Sequence, residues 1–124
     1  MEALLVRKPW IDEILDGTKT WEIRGSRTRK RGLIALVESG SGTVVGVAML
    51  TGSVGPLLRS DLIANAKKAG FAKEDVTAMP YPKTFAWVLE GAHRLRRPVP
   101  YQHPNGAVIW VKLGQEVERS VRGG

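Results

Sequence analysis

Hydrophobic and polar positions along the chain change period several times, and each change marks an element. Leu4, Leu5 and Val6 form an apolar run that predicts an opening strand. From Pro9 to Asp16 the apolar residues Trp10, Ile11, Ile14 and Leu15 recur at helical spacing. Pro9 suits the first helical position, Asp12 and Glu13 suit the N-terminal dipole, and Gly17 suits the stop. This predicts a short helix with Trp10 on its core face. After Gly17 the period becomes two. Lys19, Trp21 and Ile23 alternate with Thr20, Glu22 and Arg24, which predicts a strand that turns Glu22 and Arg24 the same way. Leu33 to Val37 is apolar on both parities, the pattern of a strand covered on both faces, and Ser39–Gly42 supplies a hairpin into "TVVGVAML". Gly46 inside that return strand predicts a bulge or a close backbone approach.

Ser60 is the expected cap of a second helix, "DLIANAKKAG", ending at Gly70, and "MPYPK" then forces an extended path. "TFAWVLEGAHRL" and "GAVIWVKL" are the last two expected strands, separated by the loop "RRPVPYQHPNG". The tail from about residue 114 lacks aromatic residues and ends in two glycines, so fraying is expected. Six strands and two short helices in 124 residues predict one domain spanning 1–124, mainly β with short helices (α+β). A small closed or partly closed β-barrel is the expected architecture, with an open sandwich nearly as good on pattern alone.

Charge adds a partner class to this outline. The formal charge is +7, and the stretch "GTKTWEIRGSRTRKRG" holds six Lys or Arg against the single carboxylate Glu22. Such a concentration attracts polyanions, with phosphate the expected counterpart. The chain has no cysteine, which excludes disulfides, thiolate metal sites and cysteine nucleophiles. No apolar run is long enough to cross a bilayer, and Glu2 stands where a secretory signal would carry positive charge. A cytoplasmic protein with no membrane attachment is expected.

The chemistry available is limited. His93 and His103 lie ten residues apart, so neither has a helical metal-binding partner; no metal or cofactor is expected. His93 suits a polar surface, and His103, in a proline-rich loop, is the better functional candidate. "GSVGPL" and "GSGTVVG" lack the Lys and Ser/Thr of a phosphate loop and read as turns. Lys19, Glu22 and Arg24 remain, followed by Arg27, Arg29, Lys30 and Arg31. An Arg beside a carboxylate is oriented by it and keeps it ionised, so the trio can orient an anion or a base, or can be a structural ion pair. Trp21 and Trp87 are open to two readings, stacking on a base or filling the core.

Gly17, Lys19, Glu22 and Arg24, in "GTKTWEIR" after the helix "KPWIDEILD", resemble the G-x-K-x-x-E-x-R signature of the ASCH domain family in the PUA-like superfamily. The Arg-rich loop that follows and the last strand "AVIWVKL" resemble the family as well, so the likeness runs from Leu4 to about Leu113. The resemblance implies a PUA-like β-barrel and a role in RNA metabolism. Carried over, Lys19, Glu22 and Arg24 would line a cleft, and Arg27, Arg29, Lys30 and Arg31 would reach phosphates at its rim. The expected partner is RNA, single-stranded or bulged, since only there are base edges and faces accessible. One branch of the family hydrolyses N4-acetylcytidine with a K-T-x-T-x-R strand and a Glu on a later helix. Here Glu22 replaces the second Thr, and "DLIANAKKAG" contains no Glu. Ribonuclease activity is also attributed to ASCH proteins. The alternatives are therefore a hydrolase of RNA or of a modified nucleoside, with Lys19, Glu22 and Arg24 catalytic, and a protein-interaction module.

Overall fold

The computed structural model describes residues 1–76 and 79–124. Its elements in chain order are β1 (Glu2–Val6), α1 (Trp10–Leu15), β2 (Trp21–Arg24), β3 (Gly32–Glu38), β4 (Thr43–Val54), α2 (Arg59–Ala64), α3 (Ala66–Ala69), β5 (Phe85–Pro100), β6 (Trp110–Lys112) and α4 (Gln115–Gly123). The six strands form one curled sheet, a half-barrel, in the order β2-β5-β4-β3-β1-β6. All neighbours are antiparallel except β1 and β3, which run parallel with Ala3 opposite Ala35. The mainly β expectation holds, with four short helices in place of two.

The central strands are apolar on both parities because both faces of the sheet are covered. On one face Leu4, Val6, Ile34, Leu36, Leu50 and Leu89 pack with Ile11 and Ile14 of α1 and with Trp87. On the other, Ala3, Leu5, Ala35, Val37 and Val47 pack with Val111, Leu113 and Val121 of α4. The tail is therefore not frayed. Val117 and Val121, four residues apart, give it one apolar stripe, and Val121 is buried against the sheet. Trp10 also departs from expectation: α1 buries Ile11, Ile14 and Leu15, while Trp10 at its first position stays 38% exposed.

The second helix divides at Asn65, which ends α2 and starts α3. The N-cap position is Leu58 rather than Ser60, and Asp61 in the first turn reaches back to accept the Leu58 backbone N–H on Oδ2 at 2.7 Å. Strand β5 continues through the expected loop to Pro100, where it still pairs with Thr43. Gly46 occupies a register shift in both of its pairings, and a Cβ there would lie 2.6 Å from the His93 carbonyl oxygen. Bulge and close approach coincide at this residue.

Candidate functional site

The site begins at the turn between α1 and β2. Lys19 is only 3% exposed, and its ammonium donates to the carbonyl oxygens of Trp21 and Ala69, both at 2.6 Å. Ala69 is the last residue of α3, so the lysine satisfies a carbonyl that the helix end leaves unpaired and meets the negative end of its dipole. Gly70 follows at φ +79°, and a Cβ on it would lie 3.1 Å from Lys19 Cδ and 2.9 Å from Glu13 Oε2. This close approach lets α3 sit on β2. The period-two pattern places Glu22 and Arg24 together on the next stretch. Arg24 donates through Nε (2.9 Å) and Nη2 (2.6 Å) to the same oxygen, Glu22 Oε2, and Nη2 also donates to the Leu5 carbonyl at 2.8 Å. Its guanidinium lies over the Trp87 ring, 5.6 Å from the centroid.

The other carboxylate oxygen, Glu22 Oε1, lies 3.7 Å from the Lys19 ammonium, beyond hydrogen-bond distance. Among the described residues the one fully buried side-chain polar atom without a partner is Glu13 Oε2. Glu22 Oε1 and Arg24 Nη1 have no hydrogen-bond partner among the described residues. Glu22 and Arg24 line an open cleft of about 440 Å³, with Lys19 and Ile23 from the β2 side, Leu5, Arg7, Trp10 and Ser39 from β1, α1 and the β3 end, and Phe71, Pro80, Tyr81 and Val108 from loops. Trp10, Phe71 and Tyr81 give it aromatic walls, and Arg24 presents charge at its floor.

Burial pushes the Lys19 ammonium below the usual lysine range, with Glu22 and Glu13 acting in the opposite direction. Between that lowered value and the ordinary one near about 10.4 the unfolded chain binds more protons at this residue, so its contribution to stability rises with pH. The stability difference between wild type and Lys19→Met, measured by urea unfolding, should move in favour of wild type as pH rises through that window. A difference that falls over the same interval would contradict the burial of a charged Lys19.

The structure places the other predicted residues elsewhere. Arg27 donates to the Gly55 carbonyl at 3.2 Å and covers the Phe85 ring. Lys30 lies 3.7 Å from Glu2 and 5.0 Å from the Trp110 ring centroid, and Arg31 binds the carbonyls of Thr28 and Lys30. Arg29 is exposed. None of these four lines the cleft; the loop leaves it at Gly25, whose position packs against the Tyr81 ring. Trp21 packs with the α2 and α3 cluster beneath Lys68. Trp87 is core: it stacks on Trp110 at 5.7 Å and donates its indole N–H to the Ser26 carbonyl. His103 accepts the Tyr101 hydroxyl on Nδ1 and reaches the Ala107 carbonyl through Nε2, which pins its own loop, while His93 is exposed. Sequence reasoning missed Arg7, Tyr81 and the cleft role of Trp10. The signal at Tyr81 was its place between two prolines, since rigid loops often carry sites.

No group of three or more His, Asp or Glu side chains among the described residues is placed to hold a metal ion. No helix among them is long and apolar enough to cross a membrane.

A curled, mainly β half-barrel with a polar cleft on one wall defines the class of protein. The ASCH domain model matches residues 4–99, and the chain belongs to that family. Solved structures agree on the fold. An ASCH protein of Zymomonas mobilis superposes with a TM-score of 0.74 at 16% identity, covering 98% of this chain and 93% of its own. Two single-residue variants of that protein superpose at 0.71 and 17% identity, again over 98% of this chain and 94% and 96% of theirs. No curated protein matches by sequence. ASCH domains are associated with RNA binding.

Proposed function

We propose that this is a cytoplasmic RNA-binding domain that takes an unpaired base into the cleft while the basic loop holds neighbouring phosphates. The observation that carries the reading is the meeting of Lys19, Glu22 and Arg24 at the floor of one open, aromatic-walled cleft. Glu22 Oε1 offers an acceptor and Arg24 Nη1 a donor, the two kinds of group a base edge requires. The volume lies within the range of small-ligand sites, roughly 300–1,000 Å³. Single-stranded or bulged RNA fits it, whereas stacked duplex bases do not reach such a site.

Fluorescence anisotropy with a single strand, the matching duplex and heparin tests the proposal. The single strand should bind more tightly than the duplex, and if Arg27, Arg29, Lys30 and Arg31 neutralise four phosphates, log affinity should fall with log salt at a slope of about −3. Affinity no better than for heparin would favour a protein-interaction module or a general polyanion surface instead. Tyr81 is 38% exposed on the cleft wall, so Tyr81→Ala should leave stability nearly unchanged. RNA binding should weaken by about 1–3 kcal/mol, the cost of one lost stacking contact.

A second reading has one observation in its favour, the lowered Lys19 proton affinity beside a carboxylate. In it the domain hydrolyses RNA as a ribonuclease, or a modified nucleoside such as N4-acetylcytidine, with Lys19 and Glu22 as acid and base and Arg24 holding them. Against it, the lysine ammonium is committed to the Trp21 and Ala69 carbonyls. Incubation with N4-acetylcytidine and with labelled RNA, with and without EDTA, should give no product above a Lys19→Ala control. Turnover that this substitution abolishes while the fold survives would promote the enzyme.

A further inference from the structure

A second set of cations begins at the cleft wall and leads away from the dense basic loop. Arg7 lines the cleft, and Lys8 follows it, exposed, 3.8 Å from Asp12 and 3.6 Å from Glu38. Asp12, two residues beyond Trp10 on α1, holds Arg94 of β5 at 2.8 Å. Arg94 is opposite Gly46, but the next register pair is Val99 with Val44. The four residues 95–98 of β5 thus face the single residue Val45 of β4, a pronounced bulge. Within it Leu95 turns into the core, while Arg96 and Arg97 are exposed and have no ion-pair or hydrogen-bond partner among the described residues.

Five cations on this path face two carboxylates, Asp12 and Glu38, with His93 exposed beside it and Glu90 further along β5. Because residues 95–98 bulge from the ladder, the adjacent Arg96 and Arg97 both reach the surface beside Arg94. Guanidinium groups match phosphate by planar paired donation. We propose that Arg96 and Arg97, reached from the cleft by way of Lys8 and Arg94, bind the phosphates of the RNA strand whose base occupies the cleft. The proposal rests on the RNA-binding reading above and assigns that strand a second path besides the basic loop.

The test compares wild type with an Arg96→Gln/Arg97→Gln double variant, on a trinucleotide and on an unstructured RNA of about 12 nucleotides. Both residues are exposed, so the melting temperature should not change, and circular dichroism checks this. The variant should keep wild-type affinity for the trinucleotide. On the longer RNA its salt slope should shrink by about 1.4, with about a tenfold loss of affinity at low salt. Equal slopes for the two proteins on the longer RNA would overturn the second path, as would an equal loss of heparin binding, which marks a general polyanion surface. Failure of wild type to bind either RNA would instead remove the RNA-binding reading on which the proposal stands.

Discussion

Arg24→Ala should destabilise the fold by about 3 kcal/mol and remove RNA binding. Its partner Glu22 is 7% exposed, and the guanidinium is the only group that hydrogen-bonds that carboxylate among the described residues. Without it, Glu22 keeps only the ion pair with Lys19 at 3.7 Å, and the Leu5 carbonyl loses the side-chain donor that joins β2 to β1 across the curl of the sheet. Breaking one side of a buried pair is costly because the other charge remains in the interior. Arg24→Met combined with Glu22→Leu should recover part of the stability, since the lone carboxylate is gone while Lys19 loses its counterion and keeps only the Trp21 and Ala69 carbonyls. Binding should stay lost, because the acceptor and the donor at the cleft floor are both gone. Urea unfolding and anisotropy on the three proteins separate these effects. A double variant no more stable than Arg24→Ala would show that the pair is not the source of the loss.

Gly46→Ala is the second large effect, expected to cost about 2–3 kcal/mol. The new methyl would lie 2.3 Å from Leu15 Cδ2 and 2.6 Å from the His93 carbonyl oxygen. Leu15 can rotate aside, but the carbonyl belongs to the paired strand and moves only if β4 and β5 part. Leu15 closes α1 over the core, and α1 carries Trp10 into the cleft wall, so RNA affinity should fall together with stability. Gly52→Ala is the matched control. A methyl there meets only Val88 at 3.8 Å or more, and alanine in a strand should be neutral or stabilising by up to about 1 kcal/mol. Thermal unfolding of the two variants checks the contrast, and similar melting temperatures would contradict the close approach at Gly46.

The parts of the molecule legible in the sequence are those that local pattern controls. Apolar residues on both parities from Leu33 to Val37 announced a strand covered on both faces, and the structure covers it with α1 and α4. The period of two announced that Glu22 and Arg24 share one side, whereas Lys19, of the opposite parity, was joined to them only by the family resemblance. What stayed hidden depends on contacts between distant segments. Arg27 meets Gly55, Lys30 meets Glu2, and Lys19 meets Ala69, fifty residues away. No local period records such pairs, so the density of the basic loop could not reveal how much of it is turned toward the protein itself. The α4 helix was missed for a related reason: two valines make a weak stripe until a sheet is present to receive them. Trp10 carried a helical core pattern but stands at the first position of α1, where it reaches the cleft rather than the core.

The central claim is that RNA engages the floor of the cleft rather than only the charged exterior. Titration of an unpaired oligonucleotide into nitrogen-15-labelled protein tests it directly, through the Arg24 Nε–H and Trp10 indole N–H resonances. The account predicts that both signals shift and saturate together with the amide of Tyr81. Saturation of the Arg29 and Arg96 amides while Arg24 Nε–H and the Trp10 indole stay unmoved would contradict it.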